Sequence, residues 1–106
     1  MLNPIKQIGF IDLYQFEPVH RRAGVGILIG DLSEQKKGYA AQSIECLKNY
    51  ANTVLNMHQL YCYIQVSNKS SLSLFQKAGF KECGSLKDWL INKNESQDVL
   101  MLQYIF

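Results

Sequence analysis

Apolar and polar positions alternate over residues 8–16, with Ile11 and Leu13 on one face and Phe10, Asp12 and Tyr14 on the other. This period of two predicts a strand. Pro18 has no N–H to give to a ladder, so the segment Glu17-Pro18-Val19-His20 is expected to break it. A second strand over about residues 23–29 then completes an antiparallel pair. Residues 30–38 are polar, begin and end on glycine, and read as a loop. Beyond it Ala40, Ile44, Leu47, Ala51 and Val54 recur every three or four positions. They put one apolar stripe on a helix from about residue 38 to 55.

A Tyr-rich run over residues 60–66 predicts a third strand. Asn68-Lys69-Ser70-Ser71 has the polar composition of a helix start. Leu72, Phe75 and Ala78 fall on the apolar face of that helix, and Gly79 stops it. Two last strands, over about 80–91 and 98–106, flank a polar turn at 92–97. The expected class is α+β, a mixed sheet in the order β-β-α-β-α-β-β. Its second and third strands should be parallel neighbours joined by a right-handed crossover helix.

With 106 residues, 47% of them hydrophobic and 19% charged, the chain has the size and balance of one soluble globular domain spanning 1–106. No apolar run approaches the roughly 18 residues of a membrane span, and the first residues lack the order of a signal peptide. The expected location is therefore cytoplasmic, without a membrane partner. A net charge of +2, spread thinly along the chain, gives no footprint for nucleic acid. Cys46, Cys62 and Cys83 are widely spaced, with no CxxC pair and no histidine at ligand spacing. They are expected to be reduced, mostly buried and to hold no metal.

The chemistry concentrates at the start of the first helix. A helix N-terminus carries free backbone N–H groups and the positive end of the dipole, so it is an anion site. Gly38 lets the backbone approach a phosphate, Lys36 and Lys37 add charge, and Ala40 keeps the turn small. Gly24-Val25-Gly26 lies inside a strand and opens no helix, so it is not a dinucleotide fingerprint, and no GK[ST] triplet marks a P-loop.

Gln35-Lys36-Lys37-Gly38-Tyr39-Ala40 resembles the Q/R-x-x-G-x-G/A motif of the GNAT N-acetyltransferase superfamily, and it stands between a strand and the crossover helix as in that family. Residues 54–61 resemble the family's helix-to-strand passage. Asn68 followed by Leu74-Phe75-Gln76-Lys77-Ala78-Gly79-Phe80 resembles its N-x-x-[AS]-x-x-[LI]-[YF]-x-K-x-G-F block. The likeness extends upstream through Gly9-Phe10-Ile11 and His20-Arg21-Arg22-Ala23. It is nearest to the spermidine and ribosomal-protein N-terminal acetyltransferases.

The resemblance implies transfer of an acetyl group from acetyl-CoA, as co-substrate, to a primary amine by direct attack in a ternary complex. It implies that the amides of Gln35, Lys36, Lys37, Gly38, Tyr39 and Ala40 hold the CoA diphosphate, that the main chain of Ile27, Leu28 and Ile29 binds the pantetheine arm, and that Asn68 and Phe75 stand at the cofactor. Where many relatives place an acidic tyrosine, this chain has Phe75; where the spermidine enzymes carry a carboxylate after His-Arg-Arg-Ala, it has Gly24. Tyr104, Tyr63 or a water is the expected substitute for the acid, and Asp12 for the base. His20 is expected at the surface or a subunit contact, His58 in a structural role. Relatives also carry about 60 further residues ahead of Ile5, according to the resemblance. The chain is thus expected to be the cofactor-binding portion of the fold, and to pair as a homodimer through the open edge of its first strand. The alternative is a non-catalytic module that binds CoA or another protein.

Overall fold

A computed structural model describes the backbone of residues 10–28 and 34–106. Strands β1 (Phe10–Glu17) and β2 (Arg22–Leu28) pair antiparallel, from Phe10 opposite Leu28 to Glu17 opposite Arg22. The ladder slips between Tyr14 and Glu17, where Gln15 takes a left-handed φ of 50°. Helix α1 (Glu34–Thr53) follows, then β3 (Gln59–Gln65), helix α2 (Lys69–Lys77), and the long hairpin of β4 (Lys81–Asn92) and β5 (Glu95–Ile105). The five strands form one sheet in the order β1-β2-β3-β5-β4. β2 and β3 are its parallel pair, joined through α1; the architecture is the α+β mixed sheet expected from the alternation of patterns.

Helix α1 begins four residues before the expected Gly38, because Glu34, Gln35, Lys36 and Lys37 are all good helix formers and Glu34 sits at the positive end of the dipole. Against those preferences one glycine in the second turn costs only about 1 kcal/mol. The expected stripe packs inward through Ala40, Ile44 and Ala51, each 0% exposed, but the helix ends at Thr53 and Val54 is left outside at 62% exposure. Asn56, in a left-handed conformation at φ 54°, turns the chain back, and the Met57 N–H bonds to the Ala51 carbonyl at 2.9 Å.

Both ends of α2 are closed by local chemistry. The Asn68 side chain accepts from the Ser71 N–H at 3.2 Å, capping the N-terminus. At the other end Phe80 N–H reaches the Phe75 carbonyl and Gly79 N–H the Gln76 carbonyl, both at 3.0 Å. This is a Schellman closure, which needs the φ of +97° that Gly79 supplies. The accompanying apolar contact is the edge-to-face pair of Phe75 and Phe80, with ring centroids 5.1 Å apart. The expected polar loop at 92–97 shrinks to Lys93-Asn94, since Lys93 at φ 58° lets two residues close the hairpin.

The core lies on one face of the sheet. Ala23 and Val25 of β2, Leu60, Cys62 and Ile64 of β3 and Leu102 of β5 meet Ala40 and Ile44 of α1 and Leu72 and Phe75 of α2. The opposite face, set by the pairing of Tyr14 with Gly24 and of Gly24 with Tyr61, carries no described helix. Only Cys62 of the three cysteines is buried; Cys46 and Cys83 are exposed, against expectation, because neither falls on the core face of its element.

Candidate functional site

β2 and β3 each have seven residues but pair over only three, Arg22–Gly24 of one with Gln59–Tyr61 of the other. Beyond Gly24 and Tyr61 the two parallel strands diverge into a fork. Each arm is held from its outer side: β1 pairs with β2 as far as Leu28, and β5 with β3 as far as Gln65. The closed end is fastened by His58 and Gln59, whose N–H groups converge on the Arg21 carbonyl at 2.6 and 3.2 Å. Main-chain groups that face into the fork from residues 25–28 have no ladder partner across it, and such groups require one.

The fork opens toward the carboxyl ends of two parallel strands, where open sheets place their ligands. α1 follows β2 and α2 follows β3, so both helices begin at this end and direct their positive dipole ends toward it. Between the helices lies a groove of about 320 Å³ bordered by Gly38, Ala41 and Glu45 of α1 and by Ser70, Ser73, Leu74, Lys77 and Ala78 of α2 and its cap.

The residues singled out from the sequence separate into groups. The backbones of Ile27 and Leu28 form the tip of the β2 arm, whereas Ile29 lies outside the described residues. Gln35, Lys36 and Lys37 form the first turn of α1, their side chains outside the described residues. Gly38 is exposed and borders the groove, Tyr39 is 46% exposed, and Ala40 is in the core. Asn68 is exposed at the start of α2, with its oxygen engaged in the cap. Phe75, expected at the cofactor, is instead 0% exposed in the core and does not border the groove.

Asp12 pairs with Gly26 in the β1–β2 ladder, level with the open part of the fork; its side chain lies outside the described residues. Tyr104 stands on the other face, opposite Leu60 at the closed end. Its ring packs on Phe80 and Phe106, and the Lys48 Nζ sits 4.1 Å from the ring centre. The structure therefore does not bring Tyr104 to the diverging arms. His20 is exposed in the β1–β2 turn, and His58 acts through its backbone.

Three aromatic rings beside the fork were not singled out together by the sequence reading. The Tyr14 ring fills the space above Gly24 so closely that a Cβ there would stand 2.2 Å from Tyr14 Cε1. Tyr61, at the last paired position, donates from its hydroxyl to Gln15 Oε1 at 2.9 Å. Burial, then the neighbouring Tyr63, raises the Tyr61 phenol above its ordinary range, with Arg22 opposing. Ring centroids lie 6.3 Å apart for Tyr14–Tyr61 and 5.9 Å for Tyr61–Tyr63. The alternation Tyr61-Cys62-Tyr63 signals that both tyrosines share a face, but nothing in one strand says which face borders a fork. On the helix side Cys62 begins the diverging segment; burial, with Cys83 nearby, pushes its thiol up to about 12, so it is protonated at neutral pH and no nucleophile.

Comparison with known proteins gives this fold a family. The chain belongs to the GNAT acetyltransferase family: the acetyltransferase (GNAT) domain model matches residues 2–81. It is 33% identical over 92 residues to the spermidine N(1)-acetyltransferase of Vibrio cholerae, a match covering 87% of this chain and 53% of that protein. The Escherichia coli K12 spermidine N(1)-acetyltransferase is 32% identical over 81 residues, covering 76% and 43%. The chain thus spans about half the length of the curated relatives it matches. Among solved structures, a SpeG chimera of the Vibrio cholerae enzyme superposes with a TM-score of 0.81 at 31% identity, over 92% of this chain and 61% of that one. The dodecameric Vibrio cholerae spermidine N-acetyltransferase gives a TM-score of 0.79 at 29% identity, over 90% and 55%.

Proposed function

We propose that residues 1–106 are the acetyl-CoA-binding portion of a cytoplasmic N-acetyltransferase domain that transfers an acetyl group to a primary amine, a polyamine or a protein N-terminus. The fork carries this reading. Its β2 arm offers unpaired main-chain groups at Val25–Leu28 to the amides of a pantetheine arm, as one strand offers them to another. The first turn of α1 supplies N–H groups for a diphosphate, with Lys36 and Lys37 adding positive charge. The groove beside Gly38 and Ser70 has room for the remaining nucleotide portion, and the Asn68 carboxamide nitrogen is the donor left for it once the oxygen serves the cap. Phe75 supports this wall only from within the core.

The bound thioester would supply an activated acyl carbon; the chain's part is to hold it at the apex of the fork, beside Gly24 and Tyr61, while an amine attacks from the face away from the helices. Holding both partners together supplies much of the acceleration. Asp12, level with the open part of the fork, is the group assigned to take the ammonium proton. With Phe75 buried and Tyr104 packed at the closed end, the departing thiolate takes its proton from water. The relatives named for spermidine favour a polyamine as the acceptor. The outer edge of β1, along which no described strand lies, is assigned to pairing between two copies of the chain.

Calorimetry with acetyl-CoA followed by a thiol-release assay across a panel of amines tests the reading. Micromolar binding with amine-dependent release is expected; no binding removes it. Two observations favour a second reading, a module that binds CoA without turnover: Phe75 has no proton to give, and the Tyr14 ring occupies the space of a side chain at Gly24. Binding without release would select that one.

A further inference from the structure

The face of the sheet away from the helices is not featureless where the fork begins. Tyr61 occupies the last paired position, Tyr63 lies two residues further along the diverging arm of β3, and Tyr14 covers Gly24 on the other arm. Alternation puts all three on this face. Tyr61 is held, 8% exposed, by its bond to Gln15 and by rings on both sides, whereas Tyr63 remains 45% exposed. The 77° angle between Tyr61 and Tyr63 makes a corner of one ring's edge and the other's face. Aromatic faces attract ammonium groups within about 6 Å of the centroid. The corner is also asymmetric in charge. Arg22, near enough to act on the Tyr61 phenol, stands at the closed end, so a cation is repelled from there toward Tyr63 and the open fork.

Resting on the transferase reading above, we propose that Tyr63, with Tyr61 and Tyr14, forms the acceptor subsite, which takes an alkylammonium chain on aromatic faces and presents its reactive nitrogen at the apex of the fork. The Gly24–Tyr14 pairing is part of the device: with no side chain at Gly24, the Tyr14 ring occupies the space above it and completes the floor. Recognition is then by aromatic surface on the β3 side. The site favours amines with a slender alkyl chain and disfavours carboxylate-bearing ones only through these rings, since Arg22 stands apart from the reacting end.

The test uses the whole chain saturated with coenzyme A, which permits amine binding without turnover. Titration with spermidine and with n-butylamine, followed by ¹H–¹³C spectra of the tyrosine rings, is expected to shift Tyr63 and Tyr61 saturably and to leave Tyr39 and Tyr50 on α1 unmoved. Tyr63→Leu is expected to weaken amine affinity about three- to tenfold, the range of an exposed to partly desolvated cation–π contact. Tyr63→Phe, which keeps the ring, restores it, and coenzyme A affinity is the same in all three proteins. Saturable amine binding that leaves these rings unshifted, or a Tyr63→Leu affinity within twofold of the parent, overturns the inference while leaving the transferase reading standing. Failure of the unaltered chain to bind coenzyme A overturns both.

Discussion

Lys48 joins three elements through one side chain that is only 12% exposed. Its Nζ donates to the Ala78 carbonyl at the end of α2 at 2.6 Å, pairs with Glu45 at 3.1 Å and lies over the Tyr104 ring. A cation at a helix C-terminus complements the dipole, and the carbonyl it serves belongs to the cap. Lys48→Met keeps the stem but leaves that carbonyl without its donor; a loss of about 1–3 kcal/mol is expected, read as a lower urea midpoint at unchanged slope. Gly38 separates stability from ligand binding at the same scale. A Cβ there meets nothing within 4 Å, and the residue sits inside a helix. Gly38→Ala should therefore raise stability by up to about 1 kcal/mol, whereas Gly38→Phe should fold and yet bind acetyl-CoA at least tenfold more weakly by calorimetry. A Gly38→Phe protein of parental affinity would separate the groove from the cofactor. Gly24 and Phe75 stand out in the sequence as departures from the family pattern. That Tyr14 fills the space above Gly24 depends on cross-strand register, which no periodicity within β1 reveals.

At the scale of elements, strongly periodic segments were legible and their ends were not. The stripe through Ala40, Ile44 and Ala51 defined α1, but its start depended on propensities of Glu34 to Lys37 that a polar composition hides. The hairpin stands as expected but its turn is shorter, for a related reason: β4 is exposed at nearly every position, so its sequence and the following polar run show no burial contrast. What orders it is a polar clasp. Asp98 accepts from the Asp88 N–H at 2.9 Å and from Lys87 at 3.3 Å, and Ser96 donates to Asp88 at 2.8 Å, across the slip between Leu86 and Leu90. The Asp88 N–H bond, then the Lys87 hydrogen bond, holds the Asp98 carboxyl below its ordinary range. A depressed folded-state pKa means the clasp is fully formed above the unfolded value, roughly pH 4, and loosens as pH falls through the lower folded one. The Asp88 amide resonance should follow that acidic transition, and Asp98→Asn should abolish it while the rest of the spectrum holds.

For the molecule as a whole, the order of elements and the parallel β2–β3 pair followed from sequence pattern, but the fork did not, since the length over which two strands pair is fixed by what packs around them. The two edges of the described sheet also differ in a way that the sequence hardly shows. β4 is guarded: its ladder slips twice, and Lys81, Glu82, Lys87 and Asp88 are exposed along it. Charges and bulges of this kind discourage pairing with another chain. β1 has one slip, near its end, and an apolar alternation, and no described strand lies on its outer side. A second copy of the same strand, antiparallel about a two-fold axis, would offer partners to main-chain groups on that side. The chain is therefore expected to be a dimer in light scattering at tens of micromolar, with alternate β1 amides, those directed outward, gaining protection from hydrogen exchange as concentration rises. A monomer across that range, with those amides exchanging freely, would show that the β1 edge needs no copy of itself.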